Sequence, residues 1–208
     1  MKLYITTLFF IALMMMDASA AGDDWELRKD RDGIRVYTKA REESGIYIYK
    51  VITSIRMKPE RVFEQVVDFR ENLKYMELVD SLSFMDHRKN ERYINYMRID
   101  MPWPVKNREM VMDMKVQFSP DSIRLVSDDR PGRIKDSETI IKVEDFHEEW
   151  VIRSFGDTGN TKITVMGWIN PGGSIPTWVV NMFSVRTPFR FISGILKELR
   201  AQGTEPGA

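Results

Sequence analysis

Arg108-Glu109-Met110-Val111-Met112-Asp113-Met114-Lys115-Val116-Gln117-Phe118 decides the architecture of this chain. Met110, Met112, Met114, Val116 and Phe118 share one face, and Val111, Asp113, Lys115 and Gln117 share the other. That period of two marks a strand with one side turned toward an interior. The same period extends outward from it in both directions. Strands are predicted over residues 82–86, 92–100, 122–127, 148–155 and 161–169. Ser119-Pro120-Asp121 and Asp157-Thr158-Gly159-Asn160 supply hairpin turns. Consecutive strands joined this way make an antiparallel meander.

Ahead of the meander, residues 25–31 are predicted as a short helix stopped by Asp32-Gly33. A strand is predicted over 34–38, a turn over 41–45 and a longer strand over 46–55. In the longer strand Tyr47, Tyr49, Val51, Thr53 and Ile55 oppose Ile46, Ile48 and Ile52, so both faces are partly covered. Pro59 stands at a first helical position, followed by Glu60. Val62, Phe63, Val66, Phe69 and Leu73 extend that helix to about residue 73.

After the meander, Pro171-Gly172-Gly173-Ser174-Ile175-Pro176 leads into a long helix. Trp178, Met182, Val185, Phe189, Ile192, Leu196 and Leu199 form its apolar face. Pro188 inside it predicts a kink near Arg186. The class is α+β, a curved antiparallel sheet closed by a long C-terminal helix. Strand twist makes a sheet of this length curl. Only the last helix is large enough to close the concave side, and a cavity is expected between the two.

The first twenty residues have a different character. Lys2, an apolar run to Met16 and the small-x-small Ala18-Ser19-Ala20 are the three parts of a cleavable secretory signal, with cleavage expected before Ala21. The apolar run falls short of the roughly 18 residues that span a bilayer. Lys2 and Asp17 leave with the signal, so 31 residues of each sign become 30 of each and the domain carries no net charge. A balanced surface exerts no long-range pull on nucleic acid, and no nucleic-acid partner is expected. The 208-residue chain has no Cys, so its core must do without disulfides, as a domain of about 185 residues can. A periplasmic or secreted location is expected. Residues 21–202 form one domain, and 203–208 have the composition of a disordered tail.

Two segments resemble the START (steroidogenic acute regulatory protein-related lipid-transfer) domain family. One is Met101-Pro102-Trp103-Pro104-Val105-Lys106-Asn107-Arg108-Glu109. The other is Asn170-Pro171-Gly172-Gly173-Ser174-Ile175-Pro176-Thr177-Trp178-Val179-Val180-Asn181. The family's Asp after Arg is Glu109 here, and no pocket carboxylate or Arg of the family is matched in this chain. The resemblance covers about residues 25–199. It implies a helix-grip (START/Bet v 1-like) fold with a cavity for a lipid or hydrophobic small molecule. A monomer with transient membrane contact is expected.

Candidate ligand-binding residues follow from the strand and the lid. Met110, Met112, Met114 and Val116 offer a flexible, polarisable wall, or ordinary core beneath the helix. Trp178, Met182, Phe183 and Phe189 lie on that helix and face the same two alternatives. Arg98 either pairs with a ligand carboxylate or phosphate, or reaches water along its stem from an outer face. Arg108 and Glu109 are structural and pair across strands. No cofactor or metal is expected, and no catalytic residue is assigned. His87 and His147 stand in polar surroundings, and there is no Gly-x-Ser-x-Gly. A helix-grip enzyme of cyclase or dehydratase type, acting on a hydrophobic substrate, is the alternative. A grip filled by its own side chains is a third.

Overall fold

The computed structural model describes residues 24–42, 44–132, 134, 139–156 and 159–203. The expected signal segment, its cleavage point and residues 204–208 lie outside them. Asp32 and Gly33 both take positive φ, 55° and 76°. Two such residues build the mirror-image turn whose twist matches paired strands. The segment before it is therefore not the expected helix. Glu26–Arg31 is strand β1, antiparallel to β2 (Ile34–Ala40), which pairs with β3 (Tyr47–Arg56). Asp-Gly served as a hairpin turn rather than a helix stop.

The helix expected over 59–73 is also divided. Helix α1 (Pro59–Val66) starts at Pro59 and buries Val62, Phe63 and Val66. Asp68 then caps α2 (Phe69–Asn72) by accepting the Glu71 amide at 3.1 Å, and a single 3-10 turn, Leu73–Tyr75, follows. Asn72 is fully buried and donates to the carbonyls of Gln65 (2.7 Å) and Val66 (3.2 Å). It satisfies groups the end of α1 leaves free, so the chain turns a corner where the apolar spacing alone continued.

The rest of the sheet comprises β4 (Val79–Arg88), β5 (Arg92–Ile99), β6 (Arg108–Phe118), β7 (Ser122–Asp129), β8 (Ile141–Lys142), β9 (Asp145–Phe155) and β10 (Asn160–Asn170). Strand order is β1-β2-β3-β10-β9-β7-β6-β5-β4, with short β8 added in parallel to the start of β6. The meander is as expected, and its last strand, β10, joins β3 to make the curved sheet continuous. Helix α3 (Thr177–Gln202) runs unbroken through Pro188 across the concave side. Its C-terminal half is anchored. Ile192, Ile195, Leu196 and Leu199 are buried with Val36, Val51, Val62 and Ile163. Gly194 lies so close to Tyr75 that an added Cβ would fall 2.2 Å from the ring.

The N-terminal approach to α3 is held by Arg108, which is 1% exposed. Its guanidinium donates to the carbonyls of Pro171 (3.2 Å), Gly172 (2.8 Å) and Lys106. These are main-chain partners rather than the cross-strand partner expected. Glu109 does pair across strands, accepting the Tyr96 hydroxyl at 2.9 Å. Arg108→Met keeps the volume but strands buried carbonyls, each worth about 1–3 kcal/mol. Denaturant titration should show a loss of about 2–4 kcal/mol, and an unchanged midpoint would remove Arg108 from this role.

Candidate functional site

Between α3 and the sheet lies a cavity of about 220 Å³. Met110, Met112 and Met114 of β6 and Met97 and Ile99 of β5 supply its floor, as the alternation of β6 predicted. Phe146, Glu148 and Trp150 of β9, with Tyr49 of β3, form the next wall, and Val66, Phe69, Met76 and Leu78 close one side. The lid is Phe183, Ser184, Thr187, Pro188 and Phe191 of α3. A smaller space of about 60 Å³ continues toward the start of α3, sharing Leu78, Ile99, Ile169 and Phe183 with the main cavity. Arg108, Pro171, Ile175 and Val179 complete it.

Five of the nine residues expected to bind ligand are elsewhere. Val116 packs against the core beyond the cavity. Arg98 is on the outer face, its Nε 3.5 Å from Asp80, so it reaches a surface carboxylate instead of a ligand. Phe189 is buried on the far side of α3, where Lys29 Nζ stands 3.6 Å from its ring centre. Trp178 and Met182 are exposed, 70% and 48%. The α3 face over the cavity runs through Phe183, Ser184, Thr187 and Phe191. Two hydroxyl residues in it hid that face from a count of apolar spacings. Burial selects apolar residues only where a helix half packs on solid core.

Glu148 was the principal omission. The alternation that puts Phe146, Trp150 and Ile152 inward puts Glu148 in phase with them, and a carboxylate on an apolar face is a signal in itself. Its Oε1 accepts the Trp150 indole N–H at 2.7 Å, and its Oε2 accepts the Tyr49 hydroxyl. No lysine or arginine pairs with it among the described residues. Burial pushes the Glu148 carboxyl above its ordinary pKa, with the Tyr49 and Trp150 donors pulling the other way. Burial, then the Glu148 charge, pushes the Tyr49 phenol well up. Thr187 Oγ1 is buried without a hydrogen-bond partner among the described residues.

The rim is tied by charge. Glu77, between cavity residues Met76 and Leu78, receives Arg186 and Arg190 (2.6 Å) on either side of Pro188. The two histidines are outside the cavity. His87 meets Asn95 at 2.7 Å, and His147 meets Asp128 at 2.7 Å while stacking on Trp168. No group of acidic, His or Cys side chains among the described residues could hold a metal. No described helix is long and apolar enough to cross a membrane.

A carboxyl whose folded pKa is raised contributes stability that is complete below its unfolded pKa and is lost as pH rises through the folded one. Glu148→Gln is isosteric and neutral throughout, and Tyr49 can turn to accept its amide. It should melt about 2–4 °C above the wild type at pH 8, the shift that about 1 kcal/mol produces in a domain of this size. The difference should vanish as pH falls toward about 4, the unfolded carboxyl range. A gap that is constant with pH would contradict a destabilising charge at Glu148.

The START domain profile matches residues 11–205. An uncharacterized protein of Pseudomonas aeruginosa is 28% identical over 191 residues, 91% of this chain and 93% of that protein. The mouse phosphatidylcholine transfer protein is 24% identical over 182 residues, covering 85% and 84% of the two chains. Among solved structures, the STAR-related lipid transfer protein of Xanthomonas axonopodis superposes with a TM-score of 0.76 at 24% identity, over 86% of this chain and 99% of that fragment. The helix-grip arrangement, the lid helix and the profile match over nearly the whole chain agree: this protein belongs to the START domain family.

Proposed function

We propose that this protein is a carrier that holds one lipid or other hydrophobic small molecule in the cavity under α3, acting as a monomer in the periplasm after export. The cavity carries the reading. A closed apolar space of about 150 Å³ already admits benzene, and this one is about 220 Å³ with a wall apolar nearly throughout. The membership of the family and the likeness to a phosphatidylcholine transfer protein support a lipid as the natural occupant. The grip is therefore not filled by its own side chains. Eight buried methylenes contribute about 6 kcal/mol gross, reduced by the freedom lost on binding. A long or doubly acylated lipid needs more room than the cavity offers with α3 in this position. Trp103 and Trp178 are 92% and 70% exposed. They sit on the two segments that Arg108 ties together, and they are the side chains that meet a membrane during loading.

The enzyme alternative has one observation in its favour, the Glu148–Tyr49 pair in the cavity. Acid–base work calls for groups that titrate near the working pH, and Tyr49 is shifted the opposite way. Carriage fits better.

Native mass spectrometry of the purified protein should show a co-purifying hydrophobic adduct, and a pyrene-labelled alcohol should bind saturably. Met112→Trp fills the cavity and should abolish that binding with the melting temperature kept within about 5 °C. No adduct and no saturable binding would end the carrier reading, and a variant that unfolds would make Met112 solid core.

A further inference from the structure

The cavity wall is not uniformly indifferent to its occupant. Both Glu148 oxygens already accept one hydrogen bond each, from Trp150 and from Tyr49. A carboxylate oxygen has a second acceptor site, so two acceptor positions remain on a side chain that lines the cavity. Opposite the sheet, Thr187 of the lid helix also lines the cavity, and its Oγ1 is buried with no partner among the described residues. Thr187 precedes Pro188, which has no amide hydrogen, so the Ser184 carbonyl loses its helical donor as well. Sheet and lid thus each carry unused polar capacity in residues that line the cavity, and an ionised Glu148, like the carbonyl, can only accept.

We propose that Glu148, with Thr187 on the lid as a second polar group, selects ligands bearing a hydrogen-bond donor at their inner end, such as an alcohol or ammonium group on a short apolar body. Resting on the carrier reading, this names the ligand class for the same cavity. A donor satisfies the free acceptor positions of Glu148 in a medium where an unmet polar group is costly. An ether of the same size leaves them unmet, and a carboxylate adds a second negative charge beside the first. The Thr187 hydroxyl both donates and accepts, so it completes the shell of an alcohol but cannot by itself tell an alcohol from an ether.

The test uses the full mature chain and three competitors against the pyrene-labelled alcohol at pH 7.5: octanol, its isomer heptyl methyl ether, and octanoate. Octanol should compete at least ten-fold more tightly than the ether, the scale of a hydrogen bond to a charged acceptor, and octanoate should be the weakest of the three. Glu148→Gln presents an N–H to the cavity, so its octanol preference should shrink to about three-fold or less, with octanoate binding recovered. Thr187→Val keeps the shape of the lid and should weaken octanol about three-fold while preserving its lead over the ether. Equal competition by octanol and ether in the wild type overturns the proposal, as does an unchanged preference in a folded Glu148→Gln protein. Either result leaves the carrier reading intact. Failure of the pyrene-labelled alcohol to bind overturns this proposal, and together with the absence of a co-purifying adduct it overturns the carrier reading as well.

Discussion

The geometry of the grip depends on one buried cation. Arg108 starts β6, the strand that supplies three methionines of the cavity floor, and its guanidinium binds the carbonyls of Pro171 and Gly172 where the chain turns into α3. One side chain therefore fixes the floor relative to the lid. Its planar fork suits the task, because several donors in fixed directions can meet carbonyls from two segments at once. Lysine would present a point charge and hold one at best. Gly173 permits the approach, since a Cβ there would stand 3.2 Å from the Arg108 Nη2. The same fork takes the Lys106 carbonyl, and so the loop carrying Trp103 is set by it too.

That arrangement divides α3 into unlike halves. Past Pro188 the helix is welded to the sheet and to α1 through Ile192, Ile195, Leu196 and Leu199. Gly194 brings it against Tyr75, whose hydroxyl is bonded to Glu198. Around Pro188 and before it the helix spans the cavity and is tied at the rim, by Arg186 and Arg190 to Glu77 and by Asn181 to the Tyr47 amide. The two arginines are half exposed but Glu77 is only 14% exposed, so this tie is polar and partly screened by water, unlike the packed apolar half. The helix thus has one end held by apolar packing and a lid portion held by polar ties, with Arg108 fixing the lead-in between them and the sheet.

Legibility in the sequence followed the same division. The meander, the floor of alternating methionines and the packed half of α3 were readable because a solid interior enforces period two on strands and period three to four on helices. Residues that answer to a different constraint were misread. Glu26–Arg31 was set by the Asp32-Gly33 turn and not by its own composition. The corner at Asn72 was set by unmet carbonyls. Trp178 and Met182 face outward because their half of α3 has no core to pack on, and Ser184 and Thr187 face inward for the same reason. Glu148 was legible in principle, being in phase with Trp150, but a strand predicted to begin at 148 left it at a frayed end. With β9 beginning at Asp145, Glu148 stands well inside the strand.

An apolar space that the protein's own side chains do not fill is costly to keep. At about 24 cal/mol per Å³, 220 Å³ corresponds to about 5 kcal/mol relative to a filled interior, comparable with the entire net stability of many domains. Five methionines around the space, Met76, Met97, Met110, Met112 and Met114, are the side chains best able to close it by changing rotamer. They leave it open because β6 is pinned at one end by Arg108, and the lid is propped by its own attachment to β3 and Glu77. A ligand that fills the space adds stability in proportion to the logarithm of its concentration over its Kd. The cost of holding the space open and the affinity available to a hydrophobic guest are therefore two sides of one quantity, set by how firmly Arg108 and the packed half of α3 keep the sheet and the lid apart.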